Sequence, residues 1–134
     1  MIKNQLTKNF TLTEMRCHNG CDVPWTLLEN AQELANNLQV LRDALGKPVI
    51  LVSCFRSPDY NKRIGGARRS YHMKCMAADI KVKGVAPREI KALILELIED
   101  GKMKQGGVGL YQRGRGTRGF VHYDIRNKRA RWIG

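Results

Sequence analysis

The segment Phe120-Val-His-Tyr-Asp-Ile125 constrains the fold more than any other stretch of the chain. Its side chains alternate: Val121, Tyr123 and Ile125 share one face, while His122 and Asp124 share the other, roughly 7 Å apart over two residues of strand rise. A strand of this kind belongs to a sheet with one face on a hydrophobic core and the other face open. The stretch from about Met76 to Val82 repeats the pattern. Ala78, Ile80 and Val82 point one way and Asp79 the other.

The apolar faces of these strands need helices to cover them, and the sequence supplies two. Leu27, Leu28, Ala31, Leu34, Ala35, Leu38, Leu41 and Leu45 form one stripe at spacings of three and four. Gly46 stands at the C-terminal cap position and Pro48 follows. The second helix starts near Pro87, carries Ile90, Leu93, Ile94, Leu97 and Ile98, and ends at Gly101. Thr11-Leu-Thr-Glu14 and Thr26-Leu-Leu-Glu29 both read as capping boxes. Ser57 to Ile64 reads as a short helix with Pro58 at its first position, ended by Gly65-Gly66. Val49-Ile-Leu-Val52 reads as a buried strand, and Val108-Gly-Leu-Tyr111 pairs with Phe120–Ile125 in a hairpin. The order αβαβαββ predicts one α+β domain over residues 1–134. It has a small, mostly antiparallel sheet with helices packed on one face.

At 134 residues with 43% hydrophobic content, the chain can bury a core. It contains no apolar run of the roughly 18 residues needed to cross a bilayer, and Met1-Ile-Lys-Asn-Gln-Leu6 lacks a secretory signal's apolar stretch. The net charge is +12. Basic residues thicken at Lys62, Arg63, Arg68 and Arg69, and again at Arg113, Arg115, Arg118, Arg126, Lys128, Arg129 and Arg131. Such a surface attracts polyanions: nucleic acid, anionic lipid or an anionic cell wall. Few aromatics interleave with the basic residues, and no helix-turn-helix, zinc-finger or RNA-recognition pattern is present, so nucleic acid is the weaker expectation. The four cysteines, Cys17, Cys21, Cys54 and Cys75, permit two disulfides or four buried thiols.

There are three histidines: His18, His72 and His122. The face opposite the core gathers Asp79, His122 and Asp124, and His72 arrives there from the loop just before Asp79. Two imidazoles and a carboxylate are a donor set for a catalytic zinc, which needs three protein ligands and an open position. The competing reading is a satisfied structural histidine–aspartate pair, and spacing alone does not choose between them.

Three segments carry a family resemblance. Ser70-Tyr-His-Met-Lys-Cys-Met-Ala-Ala-Asp79 resembles the Ser-x-His-x-x-Gly-x-Ala-x-Asp signature of the zinc D-alanyl-D-alanine carboxypeptidases. That family includes phage endolysins that cut L-alanyl-D-glutamate bonds, and its fold is shared by the Hedgehog signalling domain. Ser53-Cys-Phe-Arg-Ser57 with Asn61 and Gly65-Gly66 is similar to its Ser-Gly-Tyr-Arg-Ser…Asn…Gly-Gly segment. Gly107-Val-Gly-Leu-Tyr111 with Gly119-Phe-Val-His-Tyr-Asp124 resembles its closing hairpin, and Arg131-Trp132 its usual end. The resemblance spans about Phe10 to Trp132.

It implies a zinc-dependent peptidoglycan peptidase with one Zn2+ per chain on His72, Asp79 and His122. Arg56 matches the family arginine near the site and is expected to meet a substrate carboxylate or the oxyanion. Ser70 is expected to add a hydrogen bond there, and Tyr111 to contact substrate or help activate water. Many relatives carry a carboxylate three residues before the last zinc histidine as general base. Here that position is Gly119, and Asp124 is the expected substitute, or else it orients a ligand histidine. Cys54 and Cys75 stand where relatives have glycine, which suggests side chains that meet and can form a disulfide. Cys17 and Cys21, with His18 between them, are expected to form a simple loop.

The expected partners are peptidoglycan and, through charge, anionic wall polymers. The protein is expected to be a monomer acting at the cell wall, in the periplasm or outside the cell, made in the cytoplasm and then released. A binding module of the same fold without catalysis, and an amidase acting on the same polymer, are the alternatives.

Overall fold

A computed structural model describes residues 3–114 and 116–134. Arg115, one of the basic residues noted above, lies outside the described residues. The chain runs through α1 (Leu12–Met15), α2 (Leu28–Leu45), β1 (Ile50–Ser53), α3 (Pro58–Arg63), β2 (Ala77–Lys81), α4 (Pro87–Glu99), β3 (Gly107–Gln112), β4 (Gly119–Asp124) and β5 (Ala130–Ile133). Short 3-10 turns cover Trp25–Leu27 and Tyr71–Lys74. The strands form one five-stranded sheet in the order β1-β2-β4-β3-β5. The β1–β2, β2–β4 and β3–β4 pairs are antiparallel and β3–β5 is parallel. The α+β expectation is met, with a mixed sheet.

The core lies on the helix-covered face. Ala78, Ile80, Val108, Val121 and Tyr123 from the sheet pack with Leu34, Leu38 and Leu41 of α2 and Ile90 and Ile94 of α4, all fully buried. The alternation read from sequence is therefore the alternation that folds. Thr11 makes the predicted capping box with Glu14. Gly46 closes α2 in the left-handed conformation, at φ 64°, where a side chain would be strained.

Three expectations need correction. Thr26 does not cap α2. Pro24 opens a 3-10 turn two residues earlier, with Leu27 N–H donating to its carbonyl, so Thr26 sits inside the turn and lacks the extended backbone of a cap. The N-cap of α2 is Leu27, without a side-chain bond. Next, β1 is not a buried strand. It forms one edge of the sheet, where Ile50 is 52% exposed. Finally, the sequence predicts no strand over Ala130–Ile133, because Arg131 and Ile133 break any clean polar–apolar alternation, yet the segment is β5. It pairs along β3 and forms the other edge.

Candidate metal centre

One row of backbone partners crosses all five strands. Ser53 pairs with Asp79, Asp79 with His122, His122 with Gly109, and Gly109 with Trp132. Residues in one row share a face of the pleat, so Asp79, His122 and Trp132 rise together from the face away from the core. Gly109 has no side chain for a reason: a Cβ there would run into the Trp132 indole. The indole consequently lies close over the site, with its centroid 5.0 Å from that of His122.

His72 enters from the 3-10 turn Tyr71–Lys74. Ser70 caps this turn, its hydroxyl accepting from His72 N–H, and the His72 carbonyl accepts from the backbone N–H groups of Arg56 and Cys75. Cys75 ends the turn at φ 53°, a left-handed conformation costly for any residue but glycine. This explains why the family signature has glycine at the position. His72, Asp79 and His122 are all buried, and a ligand atom from each lies within 4.8 Å of the others.

The hydrogen bonds around these residues test whether a metal suits them. His72 Nδ1 lies 2.7 Å from the Cys54 carbonyl, which only accepts, so Nδ1 carries the proton. In the neutral ring Nε2 then presents a lone pair to Asp79 Oδ2, 3.3 Å away. His122 repeats the arrangement in mirror form. Its Nε2 lies 2.7 Å from Asp124 Oδ2, and its Nδ1 faces Asp79 Oδ1 at 3.0 Å. One ring nitrogen of each histidine thus faces the same carboxylate. These groups can converge in this way around a cation, and the outer ring nitrogens are tied back as those of metal-binding histidines usually are. Two nitrogens and one oxygen are a donor set for zinc with an open position.

Without a cation the same pairs set the charges. Burial would raise the Asp79 pKa, but the His122 and His72 hydrogen bonds outweigh it and hold the carboxyl well below its usual range. Burial would lower that of His122, yet its bonds to Asp124 and Asp79 raise it.

Arg56 points inward, towards the centre. Its Nη2 donates to Asp79 Oδ2 at 3.2 Å, Nε to Ser53 Oγ at 3.1 Å and Nη1 to Asn61 Oδ1 at 3.4 Å. Its ion pair is therefore with Asp79, not with the nearby Asp59. Asp124 is fully buried. Its Oδ1 accepts from the N–H groups of Gly107 and Arg126 and from Arg126 Nε, and its Oδ2 from Arg126 Nη2 and His122. Burial would raise its pKa, but the His122 and Arg126 hydrogen bonds dominate and push it well below the usual carboxylate range. The carboxylate is thus engaged by protein donors at both oxygens. Gly119 has φ 102°, and a Cβ there would strike the Tyr111 carbonyl, so no carboxylate fits the position relatives use.

The centre floors a cleft of about 650 Å³, whose walls include Arg56, Arg69, Tyr71, Tyr111, Arg126 and Trp132. Ser70 also lines it. Tyr111 stacks on Phe120 at 4.5 Å, and its hydroxyl accepts from Trp132 Nε1 at 2.8 Å. Arg126 and Trp132 stood in the sequence without an assigned role, Arg126 hidden in a basic run and Trp132 in an unrecognised strand. His18 stays away from the centre, with its Nε2 on the Val52 carbonyl. Among the described residues, His72, Asp79 and His122 are the one cluster with metal-ligand spacing, so Cys17, His18 and Cys21 form no second one.

The model of the family described as Peptidase M15 matches residues 4–124. The chain belongs to the peptidase M15 family. It is 38% identical over 98 residues to the peptidoglycan L,D-endopeptidase MepK of Escherichia coli strain K12, covering 68% of this chain and 48% of that protein. It is 37% identical over 81 residues to the zinc D-Ala-D-Ala carboxypeptidase of Streptomyces albus G, covering 54% of this chain and 31% of that one. This M15 chain therefore spans about half the length, or less, of these curated relatives. The family named from sequence is the family found, and zinc fits both the donor set and the Streptomyces relative's name.

Proposed function

We propose that this chain is a zinc-dependent peptidase that hydrolyses peptide bonds in peptidoglycan stems or cross-links. The observation that carries the reading is the pair of histidine ring nitrogens facing the Asp79 carboxylate at the floor of a cleft. His72, Asp79 and His122 would hold the metal. A zinc ion in such a set lowers the pKa of a bound water to about 7 and polarises a carbonyl oxygen.

The chain's own groups do the rest. Arg56 keeps a planar fork of donors at the centre, where negative charge develops on the carbonyl oxygen during attack. Ser70 caps the turn that aims His72 and leaves its own hydroxyl proton free for the cleft. Tyr111 and Trp132, joined by their hydrogen bond, wall the side on which a peptide would lie. Asp124 orients His122 by fixing the proton on Nε2, which leaves Nδ1 free to ligate.

Substrate attraction follows from charge. Arg56, Arg69 and Arg126 line the cleft of a chain whose net charge is +12. Peptidoglycan stems bear carboxylates and walls carry anionic polymers, so the field concentrates the protein on its substrate. Among the described residues no helix is long and apolar enough to cross a membrane. A monomer acting at the cell wall is consistent with this reading.

The deciding experiment is digestion of purified peptidoglycan by zinc-loaded protein, with the new termini identified by mass spectrometry and His122→Ala as control. New amino termini within stems or cross-links support the reading. Release of intact stems from the glycan would make the protein an amidase. Wall binding without cleavage would make it a binding module.

A further inference from the structure

We infer that Arg126 is a positioning residue that ties the two histidine-bearing segments of the metal centre into one rigid unit. The inference rests on the metal-centre reading above. Arg126 grips Asp124 with its planar fork, Nε to Oδ1 at 2.8 Å and Nη2 to Oδ2 at 2.7 Å. Its backbone N–H adds a third bond to Oδ1 at 3.1 Å. The same Oδ2 meets His122 Nε2 at 2.7 Å. A carboxylate held at both oxygens cannot rotate about its last torsion, so the imidazole it orients cannot swing.

The other side of Arg126 reaches the second ligand segment. Its guanidinium lies over the Tyr71 ring, 4.4 Å from the centroid, and Tyr71 precedes His72 in the same 3-10 turn. Trp132, over His122, flanks it at 5.3 Å. One side chain thereby connects the His72 turn, through Tyr71, with the His122 strand, through Asp124. Together the two contacts brace the ligand-bearing segments against each other. A lysine would keep the charge but lose the two-point grip and the flat stacking surface.

The sequence leaves room for this clamp. Gly107 pairs with Asp124 across the β3–β4 ladder, and a Cβ at Gly107 would run into Asp124 Oδ2 and lie 2.8 Å from Arg126 Nε. Gly107 is therefore required by the fork, since its φ lies outside the left-handed region and imposes no demand of its own. It also donates its N–H to Asp124 Oδ1.

Two readouts test the inference: zinc affinity, by competition with a chromophoric chelator, and the His122 ring nitrogens, by nitrogen NMR on metal-free protein. Wild type, Arg126→Ala, Arg126→Lys and Gly107→Ala are compared. Arg126→Ala should weaken zinc binding 10- to 100-fold, the range for losing a group that orients a ligand. It should also shift and broaden the His122 ring-nitrogen signals, because the ring loses its fixed carboxylate partner. Arg126→Lys should fall between wild type and Arg126→Ala. Gly107→Ala should reproduce the loss with Arg126 still present, because it displaces the fork. The His18 ring, bonded to the Val52 carbonyl far from the clamp, should be unchanged throughout.

Unchanged zinc affinity and an unchanged His122 signal in Arg126→Ala would overturn the inference, including where KM alone rises, since Arg126 would then be a substrate contact. Equal loss of the His18 signal would overturn it too, because the damage would be to the fold. Failure of wild type to bind zinc would defeat the metal reading, and the metal-free His122 signal would still decide the role of Arg126.

Discussion

Asp79 and His122 are backbone partners in the β2–β4 ladder, and their carboxylate and imidazole meet 3.0 Å apart on the face away from the helices. A one-residue slip of either strand would send one of the two into the core, so the register that buries Ile80 and Val121 also assembles the centre. The site is therefore coupled to the hydrophobic core, and its chemistry is open to simple substitution.

One zinc should bind per chain. Protein purified without chelator should carry about one equivalent by elemental analysis, and His72→Ala and His122→Ala should each lose most of it. Full retention in both variants would remove these residues from the site.

Asp124 distinguishes orientation from base catalysis. If it only took a proton, Asp124→Asn would keep wild-type zinc affinity and lose rate. On the proposed orienting role, Asp124→Asn should lower zinc affinity as well, by 10- to 100-fold. Asp124→Ala should further destabilise the fold, since it strips a partner from both the half-buried Arg126 guanidinium and the buried His122 ring. Chemical denaturation with excess zinc and with chelator separates the two effects.

Arg56→Gln should retain zinc, because Asp79 still faces both histidines, while kcat falls by about 100-fold or more, as when an oxyanion donor is removed. Loss of zinc in parallel with rate would reassign Arg56 to holding Asp79 in place.

Retention on purified cell walls should fall steeply between low and moderate salt. Exposed charges are screened beyond about 10 Å at 0.1 M ionic strength, and the basic side chains are mostly exposed. Salt-independent retention would point to a specific pocket.

The cysteines should differ in reactivity. Cys21 is exposed and should alkylate in the folded protein, while Cys17, Cys54 and Cys75 are buried and should resist until unfolding. The hydrogen bond with the Cys75 thiol, together with burial, pushes the Cys54 thiol well above its usual range, so the thiolate that starts disulfide formation is scarce. Both thiols are free in this structure. Oxidation by a small disulfide should accordingly be slow, and rapid Cys54–Cys75 bridging would show that the His72 turn opens readily.

The sequence by itself determined which residues face the core and which chemistry the chain can hold. Local periodicity suffices for that: alternation in Phe120–Ile125 separates Tyr123 from His122, and the spacing of three and four in α2 marks its buried stripe. The family resemblance, carried by three separate segments, then named His72, Asp79 and His122 together. Only the tertiary structure decided what each of the remaining polar groups does. Asp124 shares a face with His122, as alternation requires, but its burial and its grip by Arg126 come from β3 and from the chain beyond β4. Trp132 belongs to a strand without a readable pattern, because an edge strand paired on one side needs no regular alternation. Its place over His122 follows from the parallel register with Gly109, a relationship between residues 23 positions apart that no local rule encodes. Local patterns fix the faces of elements; which faces meet, and which carboxylate is left free to react, depends on long-range pairing that single-strand periodicity does not carry.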